Sequence, residues 1–118
     1  SGGGLARPED AVQLPFLGLG TGTLSQDRVT SVVTQFLSLG GRHLDTAVMY
    51  GNYDEIKLGI QASGHTNRSE LVVTFKVMPF GRDYVKAKVE AAIEGMDLDY
   101  VDIGVLHWPG DVANGKLL

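Results

Sequence analysis

"LVVTFK", residues 71 to 76, is a short apolar, β-branched run that ends on a lysine, and without helical spacing it reads as a buried strand. Thirty-one residues before Lys76 stands Asp45, at the end of a shorter predicted strand over 42–45, and thirty-one after it stands His107, closing "YVDIGVLH" (100 to 107) (76 − 45 and 107 − 76). The gaps between these strands carry a helical period. One helix is predicted from about Asn52 to Ser63, and another from about Asp83 to Gly95 with Val85, Val89, Ala92, Ile93 and Met96 on one face. Further back, Ser25 is placed as an N-cap and Val29, Val32, Val33, Phe36 and Leu37 form an apolar stripe that Gly40 ends. Ahead of that helix "LPFLGLG" (14 to 20) reads as a buried strand closed by a tight turn. Strands alternating with helices at this spacing predict an α/β fold: three parallel βα units and a fourth strand, the sheet covered by helices joined through right-handed crossovers.

The chain has 118 residues, 43% of them hydrophobic, which suits one globular domain with its own core. We place that domain at 14–118 and read 1–13, which begins Ser-Gly-Gly-Gly, as a flexible leader or a cloning scar. The tail "GDVANGKLL" is too short for a further unit. A net charge of −4 with no Lys/Arg cluster argues against nucleic acid or an anionic membrane as partner. Zero cysteines exclude disulfides and thiolate metal sites, and no metal is expected. No apolar run is long enough to span a bilayer and the N-terminus lacks a signal-peptide layout, so a soluble, cytoplasmic protein is expected.

Asp45, Lys76 and His107 thus fall at the carboxyl ends of successive strands, where open α/β sheets and (β/α)₈ barrels build their sites. Singly, each has a plain structural role: a turn aspartate, a solvated lysine, a satisfied core histidine. Three in step, with Tyr50 in the loop after the second strand, point to chemistry. A tyrosine hydroxyl, with an ordinary pKa near 10, is a poor acid at neutrality unless its phenolate is stabilised, and a drop of about three units takes about 4 kcal/mol. Lys76 would supply that, Asp45 would keep the lysine charged and oriented, and His107 would hold a carbonyl oxygen or pass a proton. Such a set stabilises negative charge growing on a carbonyl oxygen. No side chain delivers a hydride, and a nicotinamide cofactor is the usual supplier.

Four stretches, "LPFLGLGT", "GGRHLDTAVMYGN", "LVVTFK" and "LDYVDIGVLHWP", in this order resemble the N-terminal part of the aldo-keto reductase family, (β/α)₈-barrel enzymes that reduce aldehydes and ketones with NADPH. The resemblance runs from Leu14 to Pro109 and implies the N-terminal half of a TIM barrel, with a small carbonyl compound as substrate. It implies Tyr50 as proton donor, Lys76 and Asp45 tuning it, and His107 orienting the carbonyl; Gly20, Thr21 and Gly22, with Asp45, near the cofactor; and Trp108, with Tyr50 and His107, against the substrate. "GLGTGT" is a barrel turn on this reading, not a dinucleotide fingerprint. After Tyr50 the chain departs from the family pattern with "GNYDEIKLG", a longer passage into the helix, and "IEGMD" stands where a serine-leucine pair is common. A barrel needs about 250 residues. Most of the family's cofactor-gripping residues come from later strands, so the rest of the barrel, or a second copy, is the expected partner. The alternatives are a non-catalytic NADPH-binding or regulatory protein on the same scaffold, as in the potassium-channel β subunits, a truncated inactive product, and a small flavodoxin-like domain.

Overall fold

The structure, a computed structural model, describes residues 11–109. The reading of 1–10 as part of a leader and that of the tail lie outside those residues. The elements run β1 (Gly18–Gly20), α1 (Gln26–Ser38), β2 (His43–Ala47), α2 (Tyr53–Ser63), β3 (Val72–Val77), α3 (Arg82–Met96) and β4 (Ile103–Leu106), with single 3₁₀ turns at Val48–Tyr50 and Arg68–Glu70. The four strands pair in parallel in the order β1-β2-β3-β4. No helix among the described residues is long and apolar enough to cross a membrane.

Strand alternation sorts the side chains by face. Leu44, Val73, Phe75 and Val77 meet Val29, Val33 and Leu37 of α1, Ile56 and Ile60 of α2, and Ala92 and Met96 of α3 in one buried cluster. Each of the Val, Leu, Ile, Phe and Met side chains taken fully out of water is worth about 1.5–3 kcal/mol, which makes this layer the main stabilising element. The opposite face carries His43 and Asp45 of β2 and Thr74 and Lys76 of β3. His43 Nε2 lies 2.8 Å from Thr74 Oγ1, and Lys76 is ion-paired with Asp45. One face is therefore packed and the other is polar.

The helices start and stop within a residue or two of expectation, because their apolar stripes and end signals are local. α1 ends as predicted: Gly40 has φ +100, its N–H bonds to Leu37 O, and Gly41 N–H reaches back to Phe36 O at 2.9 Å. Ser25 occupies the N-cap position, but only its carbonyl contributes, accepting from Arg28 N at 2.8 Å.

All four strand expectations are corrected. "LPFLGLG" does not form a buried strand over 14–20, because only Gly18–Gly20 pairs with β2, and Leu14, Phe16 and Leu17 are 59%, 103% and 69% exposed. β2 runs on to Ala47, paired with β3 through Ala47↔Lys76, so Asp45 lies inside its strand, not at the end. The fourth strand is 103–106, and His107 follows it directly. Lys76 is the penultimate residue of β3.

Candidate active site

β2 and β3 stand in a register that sets Asp45 beside Thr74, two residues behind Lys76. The long lysine side chain spans that step and donates its Nζ to Asp45 Oδ2. The side chains are 18% and 31% exposed, so the pair is partly sheltered from solvent. Asp45 is also held by its backbone. Thr21 donates both its N–H (3.1 Å) and its Oγ1 hydroxyl (2.9 Å) to Asp45 O, tying the turn after β1 to β2.

Tyr50 closes the 3₁₀ turn after β2, and Gly51 follows with φ +61, the left-handed conformation that re-aims the chain into α2. The Lys76 ammonium lies 5.3 Å from the centroid of the Tyr50 ring. On another side the His107 ring meets Tyr50 edge-on, centroids 6.4 Å apart at 86°. His107 directly follows β4 and is pinned by its own N–H to Val77 O at 2.9 Å, and its buried Nδ1 has no hydrogen-bond partner among the described residues. Trp108 packs beside it, centroids 6.0 Å apart, and meets Phe80 edge-on at 6.4 Å. The outer end of the Tyr50 ring lies over Gly22: a Cβ there would stand 2.5 Å from Tyr50 Cζ and 2.8 Å from its hydroxyl oxygen.

Asp45, Tyr50, Lys76 and His107 are thus gathered at one end of the sheet, with a carboxylate–ammonium pair behind a tyrosine and an imidazole at its edge. That set combines a phenol, a cation beside its ring and a second proton-bearing group, the parts needed to protonate an oxygen. Among the described residues no three His, Cys, Asp or Glu side chains are gathered as metal ligands would be.

The aldo/keto reductase family model matches residues 16–113. The chain belongs to that family. It is 37% identical over 106 residues to the aldo-keto reductase of Mycobacterium marinum, a match covering 88% of this chain and 37% of that protein. It is 40% identical over 102 residues to that of Mycolicibacterium paratuberculosis, covering 85% and 36%. Among solved structures it superposes on the Bombyx mori aldo-keto reductase in complex with NADP (TM-score 0.76, 31% identity, 86% of this chain and 36% of that one). The aldo/keto reductase from Brucella melitensis gives a TM-score of 0.77 at 30% identity, covering 87% and 39%. The chain therefore spans little more than a third of the curated relatives it matches, and its four parallel strands with alternating helices are the N-terminal portion of a TIM barrel.

Within this aldo/keto reductase portion, the turn residues divide. Gly20 is exposed, pairs with Asp45, and has nothing among the described residues within 4 Å of where a Cβ would be. Thr21 is buried with its hydroxyl committed to Asp45 O, and Gly22 makes room for Tyr50. Three contributors escaped the sequence reading. Thr46 donates to Asn52 Oδ1 at 3.0 Å, and Asn52 Nδ2 donates to Thr21 O at 3.4 Å, a wholly buried polar chain linking β2, the start of α2 and the turn after β1. Phe80, beside Trp108, is the third. An asparagine at a helix start signals a cap, and nothing local says that its side chain points inward.

Proposed function

We propose that this chain carries the proton-transfer half of an NADPH-dependent aldehyde or ketone reductase, with Tyr50 as the general acid. The observation that carries this reading is the Asp45–Lys76 ion pair set behind Tyr50, with His107 at the edge of the same ring. When bound, NADPH supplies a hydride to the carbonyl carbon. As the carbonyl oxygen gains charge, Tyr50 donates its hydroxyl proton and an alcohol results. Lys76 stabilises the phenolate left behind, and Asp45 keeps the ammonium aimed. His107 orients the carbonyl oxygen by hydrogen bonding, and Trp108 lines the substrate side.

The residues present fit the nicotinamide end of such a cofactor. Gly20 leaves open backbone beside Asp45, a flat approach that a side chain would block, while Thr21 and Gly22 shape the turn next to it. The rest of the barrel is the proposed partner. Among the described residues β1 and β4 are each paired on one side only, and Val105, Leu106 and Trp108 are exposed at that margin. A second copy of the chain is the other occupant to test.

The test joins this chain to the part of the Mycobacterium marinum relative that it does not cover, and follows NADPH consumption with a reactive aromatic aldehyde. Turnover that Tyr50→Phe abolishes, with NADPH binding intact, is expected. Turnover that survives Tyr50→Phe overturns the assignment, and NADPH binding without turnover would mark a non-catalytic binding protein.

A further inference from the structure

We propose that Arg68 and Asp102 are positioning residues, a register lock that sets β4 against β3 and thereby holds His107 against Tyr50. This rests on the reading of His107 as the group that orients the carbonyl. β4 has four residues, one of them Gly104, and Gly104, Val105 and Leu106 are exposed, so side-chain packing does little to choose its register. Register matters here. A slip of one residue would turn His107 to the helix face, and a slip of two would carry it about 6.6 Å along the strand, out of reach of Tyr50.

The lock sits at the far end of the strand from the site. Asp102 donates its N–H to Val73 O at 3.0 Å and accepts from Val73 N at 2.7 Å through Oδ2, so it grips one β3 residue at two points. Only this pairing of Asp102 with Val73 gives the strand partners Thr74↔Ile103 through Val77↔Leu106. Arg68 then fixes the carboxylate. Its Nη2 donates to Asp102 Oδ2 at 2.6 Å and to Tyr100 O at 2.7 Å, Nε to Tyr100 O at 3.1 Å, and Nη1 to Leu71 O at 2.8 Å. The guanidinium also stacks 3.9 Å over the Tyr100 ring. A planar fork is needed to meet both sides at once, the residue before β3 and the approach to β4, which a lysine would not do. The side chains of Arg68 and Asp102 are 10% and 13% exposed, and Asn67, accepting from Ser69 N at 3.2 Å, fixes the short turn that presents Arg68. Buried ionic pairs of this kind are best attested as devices that choose one arrangement over its neighbours, more than as sources of stability.

The experiment uses the 118-residue chain without cofactor. Nuclear Overhauser contacts between the Tyr50 and His107 rings, and hydrogen exchange of the His107 amide, are compared with exchange of β2 amides such as Leu44 and Thr46. Arg68→Met is expected to erase the Tyr50–His107 contact and speed exchange at His107 at least about tenfold while β2 stays protected. The double variant Arg68→Met/Asp102→Leu replaces both charges with apolar groups, so it leaves no buried charge unpaired, and it is expected to keep the fold and still lose the contact. A retained Tyr50–His107 contact in the double variant overturns the proposal. So does loss of β2 protection in both variants, which would make the pair a general stabilising element. Neither readout depends on turnover, so a reductase assay that fails leaves this result standing, and loss of the lock leaves the role of Tyr50 untouched.

Discussion

Gly22→Ala tests the site at its tightest point. A Cβ on residue 22 would stand 2.5 Å from Tyr50 Cζ and 2.8 Å from both Cε1 and the hydroxyl oxygen. Carbon atoms in ordinary contact are at least about 3.5 Å apart, so the outer end of the ring must retreat by about 1 Å. The backbone itself has no objection to alanine, since Gly22 is not among the glycines with positive φ. It is also exposed, and a surface change of this kind alters stability by about 0.5 kcal/mol or less. The cost should therefore fall on the position of Tyr50 and not on the fold. A misplacement of about 1 Å at a reacting group costs about 100-fold in rate, equivalent to about 2.7 kcal/mol of barrier. The assay is aldehyde-dependent NADPH consumption by the chain joined to the remainder of the Mycobacterium marinum relative, with the unfolding midpoint measured alongside. We expect kcat to fall about 100-fold at an almost unchanged midpoint. A Gly22→Ala enzyme with wild-type kcat and unmoved Tyr50 ring resonances would refute the argument that this glycine exists to seat the tyrosine.

Two further outcomes concern the fold. The Tyr53 hydroxyl is buried without a hydrogen-bond partner among the described residues, and burial, followed by the nearby Tyr84, raises its pKa above the ordinary value of 10.0. A raised folded-state pKa means that the contribution of Tyr53 is fully present below pH 10 and is lost as pH climbs from there through the folded value, where the unfolded chain holds fewer protons. Tyr53→Phe should flatten the fall in stability above pH 10 and leave neutral-pH stability equal or higher by up to about 1 kcal/mol, measured by urea titration at several pH values. Asp97 caps α3 at φ +55, the single positive φ outside glycine among the described residues. Asp97→Gly should raise the urea midpoint by about 0.5 kcal/mol equivalent, the relief of left-handed strain set against the greater entropy of a glycine in the unfolded chain.

The βα alternation was legible because it is written in local periods: the stripes of α1 and α3, the apolar run before Lys76, and the glycines that stop α1. Asp45, Lys76 and His107 stood out for a related reason, since each lies at or near the end of a short strand-like run and the three recur at equal spacing, with Tyr50 in the loop after the second. The extent of β1 and β2 was not legible. Leu14, Phe16 and Leu17 have strand-like character, but no strand among the described residues pairs with them, and Asp45 is drawn inside β2 because β3 extends the ladder to Ala47.

From residue order alone come the fold class, the alternation of strands and helices and the candidate reacting groups, because hydrophobic period and residue chemistry act over a few positions. Tertiary structure alone decided that Thr21 ties to Asp45, that Asn52 turns inward to Thr21, that Gly22 seats Tyr50 and that Arg68 locks Asp102 against β3. Each of those contacts joins residues 24 to 34 positions apart in the chain. No local pattern encodes such a pairing; it exists only once the register of parallel strands has set which backbone groups face one another.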